Sequence, residues 1–262
     1  MAGGAAGRRA WQAVGGTVIA VVVVLAGVQV WTVLVQQHLQ ATKVYERAAR
    51  VLALDTGSAQ VTVQPGLPDR VSVRRNLDWT LREPVVSMTW AADVLTVSVS
   101  CGRLPVVGGT DCDVSLDIEV PAGTQVSGRS TSGSTEVRGL TGDVRLTTTS
   151  GAILLAGLGG QVTARSSSGM IQGGSLASAR VRADTGSGQV RLAFARPPDA
   201  VSVSAGSGEI GIVVPAGSRY RITGRSRSGD GSIDPVLADP GSQRSIDVAA
   251  GSGRVTVAPS EG

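Results

Sequence analysis

The chain has 262 residues and a formal net charge of +4; 42% of its residues are hydrophobic, only 17% are charged, and 36 are glycine. It contains one histidine and 3% aromatic residues. This composition argues against a histidine-dependent hydrolase, against most metalloenzymes and against a nucleic-acid binder that stacks bases on aromatic rings. No cofactor is predicted.

The amino-terminal region contains a long apolar run. Residues 10–42 carry no Asp, Glu, Lys or Arg, and residues 14–35 are mainly Val, Ile, Leu, Ala and Gly. Such a run, wound as a helix, is long enough for a hydrocarbon core of about 30 Å. We therefore predict a transmembrane helix over residues 11–36, between a short cytoplasmic tail (1–10) and a juxtamembrane linker (37–50). A cleaved secretory signal is the alternative, although its apolar part is usually only about 7–15 residues.

The predicted location follows from this anchor. We expect a single-pass protein of the cell membrane with its amino terminus in the cytoplasm and its carboxy-terminal domain outside. The positive charges flanking the apolar run are nearly balanced, so the orientation depends on the tendency of long domains to be translocated whatever their charge.

The chain has two cysteines, Cys101 and Cys112, at the ends of a Gly- and Pro-containing segment. This spacing favours a disulfide that closes a loop in an oxidising compartment. Two unrelated thiols are the alternative. A zinc site would need two more nitrogen or sulfur ligands, and His38 lies far away, beside the apolar run.

A repeat begins near Val120 and is marked by Ser-Gly dipeptides. Their spacing grows from 18 residues between Gly133 and Gly151 to 24 between Gly229 and Gly253. The seven turn glycines are Gly133, Gly151, Gly169, Gly188, Gly208, Gly229 and Gly253. Repeats of this length indicate a stacked architecture in which each unit buries its apolar face against its neighbours.

Hydrophobic residues alternate with polar ones on both sides of each turn. Val144 and Leu146 precede Gly151 and flank Arg145, while Ile153 and Leu155 follow the same glycine. A period of two is typical of strands with one buried face. The sequence therefore predicts an all-β protein, a right-handed parallel β-solenoid resembling a β-helix, preceded by the single transmembrane helix. An antiparallel sandwich is the rival interpretation.

The domain boundaries follow from these patterns. Residues 51–124 are strand-like with longer units and are predicted to form an N-terminal β cap that contains the disulfide loop. Residues 125–258 are predicted to form the solenoid repeats, and residues 259–262 a short tail.

The motif Val-Pro-Ala-Gly-Thr at residues 120–124, followed by the Ser-Gly turns, resembles the putative adhesin domain family of bacterial envelope proteins. The resemblance covers about residues 50–258. It implies a β-solenoid fold without an assigned activity, and it carries no binding residues over to this chain.

The sequence disfavours three kinds of chemistry. The serines before the turn glycines have no His or Lys after Lys43 to activate them, so they are better explained as turn residues. Asp117 and Glu119 alternate with apolar residues and fit the solvated face of a strand better than a glycosidase pair. One Ser-Gly-Asp-Gly segment does not make a calcium-binding repeat, so no metal site is predicted.

Arginines at outward strand positions are the remaining candidate for binding, and an outward polar face that only keeps the protein soluble is the alternative. They could form a face for an anionic ligand: Arg145, Arg165, Arg182, Arg191 and Arg221.

We predict a non-enzymatic, membrane-anchored envelope protein for adhesion, surface scaffolding or binding of anionic envelope polymers. Its partners would be the membrane, an anionic cell-wall polymer or another envelope protein, and no nucleic acid. A carbohydrate-active enzyme and an extracytoplasmic sensor are the alternatives.

Overall fold

The computed structural model describes residues 22–23, 37–79, 83–101, 112–228 and 230–260, with the backbone alone at residues 112 and 225–228. Within residues 37–260 of this part, the regular elements are β-strands and one short 3₁₀ helix, Pro235–Leu237. The strands are β1 (Gln37–Tyr45), β2 (Val51–Asp55), β3 (Gln60–Pro65), β4 (Val71–Trp79), β5 (Val85–Ala91), β6 (Val94–Ser100), β7 (Cys112–Val120), β8 (Gln125–Ser130), β9 (Thr135–Arg138), β10 (Val144–Thr148), β11 (Ile153–Ala156), β12 (Val162–Ser166), β13 (Ile171–Leu176), β14 (Arg180–Phe194), β15 (Ala200–Val214), β16 (Arg221–Ser228), β17 (Gly231–Ile233) and β18 (Ser245–Pro259).

The repeats form two walls of parallel strands. The first wall runs β6, β2, β8, β10, β12, β14, β15, β18 and β16. The second runs β7, β3, β9, β11 and β13 and then the later halves of β14, β15 and β18, ending at β17. Each repeat therefore contributes one strand segment to each wall, as the Ser-Gly periodicity predicts.

The core lies between the walls and is built from small aliphatic side chains. Val181 and Ala183 of β14 are buried, while Arg182 between them is exposed. In-register pairing places Val181 beside Val162 on one side and Val201 on the other. Because β-branched residues pack well on a pleated, half-buried surface, this alternation both forms the strand and fills the core.

The turn glycines stack where the chain passes from one wall to the other. A Cβ built on Gly151 would overlap the carbonyl oxygen of Gly133, and one on Gly169 would overlap that of Gly151. The same holds along the rest of the stack for Gly188, Gly208 and Gly253. Glycine is needed at these corners chiefly because successive backbones approach too closely for a side chain. Gly229 lies outside the described residues.

The predicted fold class needs correction because the sheet is mixed rather than wholly parallel. β4 pairs antiparallel with both β1 and β7, and β5 pairs antiparallel with β6. The β5–β6 connection is the two residues Ala92 and Asp93, with Ala92 at φ 48°. A two-residue link can join only antiparallel strands, since a parallel pair needs a long crossover.

The last strand does not follow the order of the sequence. β18 pairs with β15 on one side and with β16 and β17 on the other, all in parallel. The chain therefore skips one strand position after β15, forms β16 and β17, and returns to fill the gap with β18. Buried Tyr220 and Leu237 lie in this outermost turn of the chain and join the core cluster.

The predicted transmembrane helix is also corrected. In the part of the chain that the structure describes, no helix is long and apolar enough to cross a membrane. Of residues 11–36, Val22 and Val23 alone are described, and the rest of that prediction lies outside the described residues. The single-pass anchor and the localisation derived from it therefore lack support. They depended on the length and hydropathy of the apolar run. Residues 37–45, expected to be a linker, form β1.

Candidate functional site

Parallel, in-register pairing aligns the outward side chains of the first wall into two columns. One column contains Ser127, Arg145, Thr163, Arg182 and Ser202 on β8, β10, β12, β14 and β15. The other contains Arg129, Thr147, Arg165, Asp184 and Ser204 on the same strands. Neighbouring strands are about 4.8 Å apart, so residues adjacent in a column lie side by side.

Four arginines stand on four successive strands of this wall. They alternate between the two columns, so that Arg129 and Arg165 share one column and Arg145 and Arg182 share the other. We call this surface the arginine face: the outward side of β8, β10, β12 and β14, carrying Arg129, Arg145, Arg165 and Arg182. It extends for about 14 Å along the stack at the usual strand spacing.

The structure brings together three of the five arginines predicted from sequence. Arg145, Arg165 and Arg182 lie on the arginine face, but Arg191 lies on the second wall, 3.5 Å from Glu209. Arg221 starts β16, at the far end of the first wall, in register with Ser245. Arg129 was missed, although the alternation that begins at buried Val126 already gives it an outward position.

Asp184 joins the two later arginines of the face. Its Oδ2 lies 2.9 Å from Arg182 Nε and 3.4 Å from Arg165 Nε, and Arg182 Nη2 lies 3.2 Å from Oδ1. Ser204 donates its hydroxyl to Oδ1 at 2.6 Å. Burial by itself raises the pKa of Asp184, but the hydrogen bonds from Ser204, Arg182 and Arg165 and the charge of Arg182 outweigh it and lower that pKa below its ordinary value. Asp184 is therefore held as a carboxylate.

The two earlier arginines have fewer partners. Arg145 Nη2 is 3.9 Å from Asp143 Oδ2, at the limit of an ion pair, and its side chain is 63% exposed. Within the described residues Arg129 forms no ion pair, although Asp55 is its register neighbour on β2. These guanidinium groups therefore keep hydrogen-bond donors free for a ligand.

A groove of about 410 Å³ lies over this part of the face. Arg129, Arg145 and Arg165 line it, and Thr147 lies among them. The remaining lining residues are Ala53, Leu54, Asp55, Thr96, Ser127, Gly128, Leu146 and Thr163. A concave surface of this size, with several polar groups, lies within the usual range for small-ligand sites.

The other predicted positions lie away from this groove. Cys101 follows β6 and is disulfide-bonded. The side chain of Cys112 lies outside the described residues, so its role as the partner stays a prediction. Within the described part of the chain, no group of three or more His, Cys, Asp or Glu side chains is placed to hold a metal ion.

The sequence also matches a family profile over residues 113–258, that of Toastrack DUF4097. The chain belongs to the Toastrack DUF4097 family. The matched residues span β8 to β17 and nearly all of β7 and β18, and so include the whole arginine face. No curated protein matches the sequence.

Solved structures that are similar to this chain have low sequence identity to it. A putative adhesin from Bacteroides fragilis is 12% identical, with a TM-score of 0.51 over 85% of this chain and 97% of that one. A putative adhesin from Parabacteroides distasonis is 14% identical, with a TM-score of 0.41 over 85% and 97% of the two chains. The resemblance drawn from the Ser-Gly repeats to an adhesin-type family without an assigned activity is confirmed.

Proposed function

We propose that this protein is a non-enzymatic binding module whose arginine face holds an anionic polymer. The observation that carries the proposal is the placement of Arg129, Arg145, Arg165 and Arg182 on four successive strands of one rigid wall. A regular row of cations on a fixed scaffold suits a chain with repeated negative charges, since each contact needs little reorganisation of the protein. The adhesin names given to proteins of similar fold agree with a binding role.

Charge and geometry together favour this face over the outer surface of the second wall. Arg191 on the second wall is paired with Glu209, and Arg138 there lies 2.6 Å from Glu136. On the arginine face, Asp184 forms ion pairs with both Arg165 and Arg182. Of the four arginines, Arg145 has the weakest ion pair, and Arg129 forms none within the described residues. Exposed arginines of this kind recognise carboxylates and phosphates through their planar fork of donors.

Retention of the full-length protein on an immobilised polyanion tests the proposal. We expect retention on polygalacturonate or polyphosphate at low salt and release at about 0.5 M salt, where the Debye length falls below about 5 Å. Replacing Arg145 and Arg182 by Ala is expected to weaken binding about tenfold, which corresponds to about 1.4 kcal/mol.

The matched control removes the same charge elsewhere. Replacing Arg191 and Arg221 by Ala also deletes two arginines but leaves the arginine face intact, so binding should stay within about twofold of wild type. Equal losses of binding in the two double variants would contradict the proposal. So would a failure of both polygalacturonate and polyphosphate to retain the wild-type protein.

A further inference from the structure

The arginine face contains the same local arrangement twice, two strands apart. In the first copy, Arg129 on β8 is the register neighbour of Thr147 on β10, and Arg145 precedes Thr147 by two residues on the same strand. In the second copy, Arg165 on β12 is the register neighbour of Asp184 on β14, and Arg182 precedes Asp184 by two residues. Thr147 therefore occupies in the first copy the position that Asp184 occupies in the second.

The second copy shows what this arrangement binds. The two arginines converge on the carboxylate of Asp184, with nitrogen–oxygen distances from 2.9 Å for Arg182 Nε to 3.4 Å for Arg165 Nε. In the first copy Thr147 supplies no carboxylate, and this exposed residue lines the groove. The arginine pair there has the position needed to hold a carboxylate, but the chain itself does not provide one.

The first copy has an additional cation. Thr147 is also the register neighbour of Arg165, so three arginines surround it: Arg129, Arg145 and Arg165. Three carboxylates lie nearby, since Asp143 is 3.9 Å from Arg145, Asp55 is beside Arg129 in register and Asp184 is 3.4 Å from Arg165. With all three aspartates ionised, the four arginines of the arginine face still exceed them by one positive charge.

The groove also limits the kind of molecule that carries the carboxylate. Its 410 Å³ exceeds what a bare carboxylate fills, and the hydroxyls of Thr96, Ser127 and Thr163 line it around the arginines. Hydroxyl groups donate and accept hydrogen bonds and therefore suit the hydroxyls of a sugar ring. Resting on the proposed function, we infer that Arg129, Arg145 and Thr147 form a subsite for the carboxylate of an acidic sugar unit, at the position that Asp184 fills in the second copy.

A substitution that places a carboxylate at residue 147 tests this subsite. In the full-length protein, Thr147→Asp should pair with Arg129 and Arg145 as Asp184 does with Arg165 and Arg182, and should weaken polygalacturonate binding at least about tenfold. The matched control is Ala249→Asp. It adds the same charge at an exposed position in the same column, four strands or about 19 Å away, and should change binding less than about twofold.

The reverse substitution should create a second subsite. Asp184→Thr removes the internal carboxylate from between Arg165 and Arg182 and puts there the residue found in the first copy, so the number of uronate monosaccharides bound per chain should rise from one to two in a calorimetric titration. Circular dichroism spectra that match wild type would show that both variants are folded.

The outcomes separate this subsite from the wider proposal. If wild type binds polygalacturonate but Thr147→Asp and Ala249→Asp bind equally well, the subsite is wrong and the arginine face stands. If polyphosphate is retained and polygalacturonate is not, the carboxylate assignment is wrong. An unchanged stoichiometry in Asp184→Thr would contradict the equivalence of the two copies. If wild type binds neither polymer, the proposed function and the subsite both fail.

Discussion

Gly151 lies so close above Gly133 that a Cβ on Gly151 would overlap the carbonyl oxygen of Gly133. The same corner recurs at Gly169, whose Cβ would meet the carbonyl of Gly151. Close stacking at these corners keeps the strands of both walls in register. The columns of the arginine face depend on that register, although the glycines themselves lie away from the groove.

Gly151→Ala is therefore expected to destabilise the protein by about 3 kcal/mol, because the backbone of the corner must move to admit the methyl group. The control is Gly174→Ala on β13, where a Cβ would meet nothing within 4 Å. Urea unfolding monitored by circular dichroism measures both variants. Similar midpoints for Gly151→Ala and wild type would mean that the corners can relax.

The strands and the direction in which their side chains point could be predicted from the sequence. Arg145 lies between buried Val144 and Leu146, so a period of two is enough to place it on the outer surface. The Ser-Gly spacing also predicts parallel stacking, because it returns the chain to the same corner once in each repeat.

The arginine face and its groove depend on how the strands pair, which the hydrophobic alternation and the Ser-Gly spacing do not determine. The equivalence of Thr147 and Asp184 appears only when adjacent strands are paired residue by residue, which the spacing alone does not fix. Arg191 has the same outward alternation as Arg182 but belongs to the other wall. The insertion of β18 between β15 and β16 could not be foreseen, because consecutive repeats are expected to be neighbours in space.

Asp184→Asn, which keeps the shape of the side chain and removes its charge, should reveal a pH-dependent contribution to stability. The folded-state pKa of Asp184 is lowered, so its carboxylate stabilises the fold fully above the unfolded pKa of about 3.9, and this contribution is lost as the pH falls through the folded-state pKa. Because its arginine partners are more than half exposed, we expect the variant to lose only about 1 kcal/mol at pH 7.

Urea unfolding of wild type and Asp184→Asn at several pH values measures this contribution. The difference between the two proteins should be constant from pH 7 to about pH 5 and should shrink below about pH 4. A difference that grows on acidification would have the wrong sign for a carboxylate held in its charged form.

The predicted Cys101–Cys112 disulfide would close a loop of about a dozen residues between β6 and β7. In the chain-entropy model such a cross-link stabilises by about 3 kcal/mol. Replacing both cysteines by Ser should lower the free energy of unfolding by that amount, and dithiothreitol should have the same effect on wild type but none on the variant. Peptide mapping without reductant should recover residues 101 and 112 in one cross-linked species; two separate thiol peptides would exclude the pairing.

Two substitutions of Tyr220 distinguish the contribution of its apolar ring to stability from that of its buried hydroxyl. The side chain is fully buried in the outermost turn of the chain, and burial raises the pKa of the phenol although the nearby Ser218 hydroxyl opposes that shift. Its Oη meets no partner at full hydrogen-bond geometry within the described residues. Tyr220→Phe keeps the ring and removes this poorly paired hydroxyl, so it should leave stability unchanged or raise it by up to about 1 kcal/mol. Tyr220→Leu keeps an apolar side chain but leaves a cavity, and should cost about 2 kcal/mol. Urea unfolding distinguishes the two, and a loss in Tyr220→Phe as large as that in Tyr220→Leu would show that the hydroxyl is paired in solution.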